Sequence, residues 1–255
     1  MTLTLTPVAG LPVIQPGDYL AALIAGVINQ AKLILQDGDI FVITQKIVSK
    51  SENRFVDLNH IHASAEAMDV AVKTDKDPRF VELVLRESSS ILRTRPGALI
   101  AEHKLGFVCA NAGIDHSNVQ SLGGNPEDWV LLLPENPDSS ARKLKNDLEQ
   151  KYGIKLGVLI IDSHGRAWRN GAVGMAIGLA GMPGVVDLRG KPDLFGYQLR
   201  VTLVAAADEL AAAASLVMGQ ADELIPVVHV RGFPYPLREG SMQELIRPKE
   251  LDLFR

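Results

Sequence analysis

Apolar positions recur along this chain with two periods, near two and near 3.6 residues, and their alternation predicts a mixed α and β protein. Leu3 and Leu5 alternate with threonines and predict an opening strand, after which Gly10-Leu-Pro-Val-Ile14 leads into a Pro-Gly-Asp turn. Leu20, Leu23, Ile24, Val27 and Ile28 fall at helical spacing, with Asp18 as the expected N-cap and one face turned to a sheet. Ile40-Phe-Val-Ile43 is an uninterrupted apolar run of the kind a central strand carries. Residues 64–74 predict a helix, and Asp77-Pro78 supplies a cap and a first-turn proline for another through Val81, Leu83, Val84 and Leu85.

The second half repeats the theme. Residues 106–118 read as a strand running into a glycine turn, and residues 129–133 as a strand ending in Pro134-Glu-Asn-Pro-Asp138. Asp138 or Ser139 is expected to cap a helix from Ala141 to about Tyr152, closed by Gly153. Gly157-Val-Leu-Ile-Ile161 is a strand delivering Asp162. Between Gly165 and Gly196 the glycines argue against helix and leave a strand over 173–179 among loops; another strand is expected at 201–206. An alanine-rich helix over 208–218 ends at Gly219, a strand follows at 225–230, and the tail from Ser241 reads as a short helix or peripheral arm. No linker or repeat is visible. The expectation is one unit over 1–255, divisible at most into two interleaved subdomains with no boundary in the composition.

Composition narrows the chemistry. A net charge of −4 argues against non-specific binding to nucleic acid or an anionic membrane, so any anionic ligand must meet a local basic cluster. One cysteine, Cys109, excludes an internal disulfide and a cysteine-based zinc site and fits a reducing cytoplasm. The least charged stretch, 171–186, is shorter than the roughly 20 residues a membrane helix needs and is broken by further glycines and Pro183. The first sixteen residues lack the basic start and apolar run of a secretory signal.

The candidate chemistry rests on two strands that each deliver an aspartate beside a hydroxyl. Asp115 is followed by His116, Ser117 and Asn118, and Asp162 by Ser163 and His164. One aspartate after a strand is ordinarily a loop or cap residue. Two with matching context point to a shared metal site, and their oxygen-rich neighbours suit Mg²⁺ or Mn²⁺ better than zinc. Lys46, Lys50 and Arg54, four apart just past the expected central strand, read either as a solvated basic face or as phosphate contacts. No P-loop pattern occurs, and Gly174-x-x-x-Gly178-x-x-Gly181 is not a dinucleotide fingerprint, so close packing is its default role. His60 and His62 read as a surface pair. His116 and His164 are either donors behind the aspartates or exposed loop residues, and Cys109 reads as a buried apolar side chain.

Six segments in order, Gly10-Leu-Pro-Val-Ile14, Gly38-Asp39 with Val48-Ser-Lys50, Ala110-Asn-Ala-Gly-Ile-Asp-His-Ser-Asn118, Leu132-Leu-Pro134 with Pro137-Asp138, Asp162-Ser-His-Gly-Arg166 with Arg169-x-Gly171, and Val217-Met-Gly-Gln220, resemble the coenzyme F420-0:L-glutamate ligases, or gamma-glutamyl ligases. The resemblance spans nearly the whole chain. It implies an α+β fold of mixed and antiparallel sheets with packed helices, forming an intertwined homodimer with GTP and divalent metal, Mg²⁺ or Mn²⁺ with K⁺ as a further cation, near the subunit boundary. The reaction it implies is phosphorylation by GTP of the terminal carboxylate on the deazaflavin's lactyl-phosphate side chain, followed by attack of the L-glutamate amine on the acyl phosphate. It places metal ligands on Asp115, Asp162, Ser163 and Gln220, and catalytic roles on Lys50, Asp115 and Asp162. It places nucleotide contacts on Leu11, Pro12, Val13, Ile14, Gln45, Lys46, Lys50 and Asn118, and on Met218, Gly219, Gln220, Ala221, Asp222, Glu223, Leu224 and Ile225. Asn53 stands where the family usually carries glycine, Asn136 where it carries aspartate, and Ser163 where threonine is commoner; Asn53 is compatible with a left-handed backbone. The competing readings are an amide ligase or phosphotransferase using the same site on a different acid, and a nucleotide-binding regulator without turnover.

Overall fold

The computed structural model of the chain describes residues 2–253. In order it contains β1 (Thr4–Pro7), α1 (Leu20–Gln30), β2 (Ile40–Thr44), α2 (Gln45–Ser51), β3 (Phe55–Asp57), α3 (Ala65–Thr74), α4 (Pro78–Glu87), β4 (Ser88–Arg95), β5 (Ala98–His103), β6 (Val108–Ala110), β7 (Trp129–Leu131), α5 (Pro137–Tyr152), β8 (Gly157–Arg166), β9 (Arg169–Ala180), β10 (Val186–Asp187), β11 (Leu203–Val204), α6 (Ala206–Met218) and β12 (Val227–Arg231). The fold is α+β, as expected. Its main sheet has the order β1-β12-β2-β8-β9, in which β2 and β8 run parallel and the other pairs antiparallel.

β2 is a central strand because both faces of the sheet are covered. Phe41 and Ile43 enter a core built with α1 and α5, whereas Ile40 and Val42 enter a second core built with α6. β8 divides in the same way, with Val158 and Ile160 on one side and Leu159 and Ile161 on the other. A strand buried on two faces reads as a continuous apolar run rather than an alternation, which is the pattern seen in both. A third core, formed by α3, α4, β5 and β7, includes Val81, Val84, Leu99, Ala101 and Val130. The stretch 106–118 joins these cores: Phe107 and Cys109 pack with the main sheet, and Ala112 and Ile114 pack in the third core.

The glycines of β9 are packing residues, as the sequence predicts. A Cβ on Gly178 would stand 2.4 Å from Pro137 Cβ and 2.5 Å from its carbonyl carbon, and one on Gly174 would stand 2.5 Å from Ala211 O. These glycines let α5 and α6 lie close against opposite faces of one strand, and the alanine-rich face of α6 serves the same purpose.

Several local expectations are corrected. Asp18 does not cap α1; it accepts from Gln15 N at 2.7 Å and closes the preceding turn, leaving Tyr19 at the cap position without a side-chain bond. Asn136 caps α5 by accepting from Ser139 N, while Asp138 accepts from Leu179 N at 2.8 Å and Met242 N at 3.1 Å, joining α5 to β9 and the tail. β8 does not end at Asp162 but continues as a hairpin with β9. The strand expected at 201–206 shrinks to β11, since only Val186 and Asp187 pair with it and α6 begins at Ala206. The tail forms two short 3₁₀ turns, and Phe254 and Arg255 lie outside the described residues. Asp77 caps α4 as predicted, and Ser64, expected only as the first residue of a helix, caps α3 by accepting from Ala67 N.

Candidate active site

The site lies where the parallel strands β2 and β8 end, a position at which open sheets containing parallel strands leave a crevice beyond their carboxyl ends. Thr44, the last residue of β2, pairs with Ile161, so Gln45 at the start of α2 and Asp162 on β8 emerge side by side. Asp115 arrives from the third core. Its backbone exchanges two hydrogen bonds with Leu131, each 2.9 Å, after a turn in which Asn111, Ala112 and Gly113 all have positive φ. A side chain at Gly113 would collide with Leu133 Cδ1 at 2.6 Å. The tight turn therefore requires glycine there.

Asp115 is held by two neighbours from α2. Gln45 Nε2 donates to Asp115 Oδ2 at 2.5 Å, and Lys46 Nζ forms an ion pair with the same oxygen. Ser49 donates to Gln45 Oε1 at 2.9 Å, which turns the amide nitrogen of this fully buried side chain toward the carboxylate. Lys50 Nζ donates to Asn118 O at 2.8 Å, and Asn118 Nδ2 donates to Ala221 O at 3.1 Å. Ser163 Oγ donates to Gln220 Oε1 at 2.8 Å, and Glu223 accepts from Ala221 N at 2.8 Å, shaping the loop after α6. Gln15 Nε2 donates to Gln120 Oε1 at 3.2 Å and ties the segment bearing Leu11, Pro12, Val13 and Ile14 to the loop after Asp115.

The charges are strongly interdependent. Burial pushes the Asp115 carboxyl up, and nearby Asp162 pushes it the same way against the pull of Lys46. Burial also acts to raise Asp162, but contact with His164, the Ser163 backbone N–H and the charge of Lys46 together hold it below the usual carboxylate range. Burial lowers the Lys50 ammonium, helped by Lys46 and opposed by Asp115. Two carboxylates and two ammonium groups thus share one partly dry space.

The sequence-predicted residues separate into two groups. Gln45, Lys46, Lys50, Asp115, Asn118, Asp162, Ser163, Gln220 and Ala221 form one connected set through the contacts above. Arg54 leaves it: its guanidinium donates to Leu133 O, Glu135 and Glu87, because the chain turns at Asn53, which adopts φ 55°. Ile14, Met218 and Ile225 send their side chains into the cores, so only their backbones remain for a ligand, whereas Val13 and Leu224 are exposed. Cys109 is buried and its thiol is pushed up to about 12, mainly by burial, which agrees with an apolar role. His116 is exposed and anchors to Glu127 O at 2.8 Å. His164 is buried with Nε2 3.0 Å from Asp162 Oδ2. Phe107 packs on His164 and stacks on His103, at centroid distances of 5.3 and 5.1 Å. This backing was missed in the sequence because its members are far apart along the chain and only their burial betrays them.

Among the described residues, no group of three or more histidine, cysteine, aspartate or glutamate side chains is placed to hold a metal ion. The set Asp115, Asp162, Ser163 and Gln220 instead offers two carboxylates, a hydroxyl and an amide oxygen. Such a set fits a magnesium-like ion, which is usually bound through one or two carboxylates and completed by water and substrate phosphates. The mutual repulsion of Asp115 and Asp162 is what such a cation relieves.

The sequence profile of the F420-0:Gamma-glutamyl ligase family matches residues 10–232. The chain belongs to this family. It is 48% identical to the coenzyme F420:L-glutamate ligase of Methanothermobacter thermautotrophicus over 100% of both chains. It is 44% identical to that of Methanocaldococcus jannaschii over 96% of this chain and 94% of the relative, and 41% identical to that of Archaeoglobus fulgidus over 100% and 97%. Every site residue named above falls inside the span shared with the F420-0:Gamma-glutamyl ligases.

Proposed function

We propose that this protein is a GTP- and divalent-metal-dependent ligase that joins L-glutamate to the deazaflavin precursor of coenzyme F420 through an acyl phosphate. The observation that carries the reading is the convergence of Asp115 and Asp162 with Lys46 and Lys50 at the ends of β2 and β8, in a member of the F420-0:Gamma-glutamyl ligase family. A divalent ion held by Asp115, Asp162, Ser163 and Gln220 would neutralise phosphate oxygens there. Phosphoryl transfer asks mainly for positioning and charge neutralisation, which is what buried, hydrogen-bonded side chains provide.

In this reading Lys50, freed from Asn118 O, stabilises charge on the transferred phosphoryl group, and Asn118 and the loop from Met218 to Ile225 hold the nucleotide. A carboxylate oxygen of the acceptor attacks the γ-phosphorus and GDP leaves. The glutamate amine then attacks the acyl carbon, loses a proton, and phosphate departs with the electrons of the broken carbon–oxygen bond. Gln45 and Lys46 orient Asp115 and pull its carboxyl down, against the burial that pushes it up. The single cysteine supports a reducing compartment such as the cytoplasm, and among the described residues no helix is long and apolar enough to cross a membrane.

Incubation with GTP, Mn²⁺, L-glutamate and the deazaflavin acceptor should yield a product heavier by one glutamyl unit, read by mass spectrometry. Lys50→Met should lower the rate by about 10²-fold. Nucleotide hydrolysis without glutamyl transfer to this acceptor would instead favour a ligase acting on a different acid, and absence of both would favour a regulator.

The homodimer is part of the same proposal. Between β10 and β11 the chain extends an arm on which Leu194 and Phe195 are 92% and 91% exposed, an apolar surface of the kind that a second copy covers. Sedimentation should show a dimer that Phe195→Ser shifts toward monomer; a wild-type chain that sediments as a monomer at micromolar concentration removes this element.

A further inference from the structure

The β8–β9 hairpin carries Asp162 and Ser163 midway along its length and turns at Arg166-Ala-Trp-Arg169. Arg166 and Arg169 are cross-strand partners at this turn, and both are exposed. Among the described residues neither guanidinium meets a carboxylate or any other hydrogen-bonding partner. Like charges at directly opposed positions repel. In a chain of net charge −4, pairing them without a neutralising carboxylate leaves a local anion-binding surface. Trp168 stands between them, 86% exposed at φ 64°, where a bulky residue is an outlier in backbone conformation. Such outliers persist where the surroundings or a function hold them.

An indole face flanked by two arginines recognises a planar aromatic ring attached to an anion: the ring stacks on the indole and the guanidinium forks take the anion. We infer that this hairpin tip binds the acceptor, with its tricyclic ring against Trp168 and its phosphodiester between Arg166 and Arg169. The inference rests on the deazaflavin acceptor of the proposed function, with the lactyl-phosphate side chain that the family resemblance implies. The direction of the hairpin agrees with it. The reacting carboxylate belongs beside Asp115 and Asp162, so the rest of the acceptor must extend away from them. Arg166 lies four strand positions beyond Asp162, a rise of about 13 Å. The hairpin is pinned at mid-length to the loop after α6 by the Ser163–Gln220 hydrogen bond, which fixes the stretch below the tip beside the nucleotide segment.

The test is titration of deazaflavin acceptor fluorescence, without GTP or glutamate, against wild type, Trp168→Ala, Trp168→Phe and the double variant Arg166→Ala/Arg169→Ala. Light scattering is read on the same samples. Trp168→Ala and the double variant should each raise the acceptor Kd, and its KM in turnover, by about tenfold, with Trp168→Phe near wild type and the KM for GTP unchanged. Equal acceptor Kd values for wild type and both alanine variants overturn the inference. So does weaker binding that tracks a change in oligomeric mass, which assigns the tip to a second copy of the chain. Wild type that binds acceptor through the tip yet adds no glutamate leaves this inference standing and removes the proposed function. Glutamate addition that ignores the tip variants does the reverse.

Discussion

Replacing Asp162 by asparagine is expected to lower glutamate addition by about 10³-fold, the scale on which loss of one preorganised charge contact in a dry site acts. The substitution keeps the shape and removes one negative charge from a residue that the fold buries beside Asp115, Lys46 and His164. Asp115 should then titrate lower, since part of the upward push on its carboxyl comes from Asp162. The melting transition should stay close to that of wild type, because relief of carboxylate repulsion offsets the lost contact with His164. Steady-state rates and a thermal melt on the same preparation decide the matter. Turnover within a fewfold of wild type, with an unchanged melt, would sink the role given to Asp162.

A second substitution acts on the fold alone. Asp39, just before β2, is 1% exposed; it accepts from Arg231 Nε and an Arg231 terminal nitrogen at 2.9 and 2.6 Å, and His229 Nε2 lies 2.8 Å from it. Asp39→Asn leaves this cluster without its anion and should cost about 3 kcal/mol at pH 7, the scale for removing one partner of a buried ion pair. For a chain of this size that is a fall in Tm of about 6–12 °C. The pH dependence has a definite sign. Burial alone would raise the Asp39 carboxyl, but Arg231, His229 and the Gln36 backbone N–H hold it below its unfolded value of 3.8. Its stabilisation is therefore fully present above that value and lost as pH falls through the lower folded one. Urea unfolding at pH 7 and pH 3 should show the gap between wild type and variant shrinking in acid. A gap that is absent at pH 7, or that stays constant with pH, contradicts the assignment.

The positions of most elements were legible because their signals are local. The apolar runs of β2 and β8, the Asp77-Pro78 start of α4 and the Gly153 stop of α5 each depend on a few neighbouring residues. The misread caps, Asp18 and Asp138, fail for one reason. A carboxylate able to cap a helix is equally able to close a turn or accept from a distant strand, and the choice depends on which backbone N–H lacks a partner in the folded chain. The same limit applied to Arg54, which shares a fourfold spacing with Lys46 and Lys50 but turns to Glu87 once the chain leaves α2 at Asn53.

By itself, the sequence determined the α+β class, the family, and the two strands that each deliver an aspartate; these follow from hydrophobic period and from motifs in linear order. Only the tertiary structure decided that the stretch bearing Asp115 crosses from the third core to the main sheet, so that its aspartate meets Lys46 and stands near Asp162. It alone revealed the Phe107 and His103 backing of His164 and the unpartnered arginines at the hairpin tip. The physical reason is that burial and charge coupling act through space: residues 47 positions apart in the chain share one partly dry, charged site, and no spacing in the sequence encodes that distance.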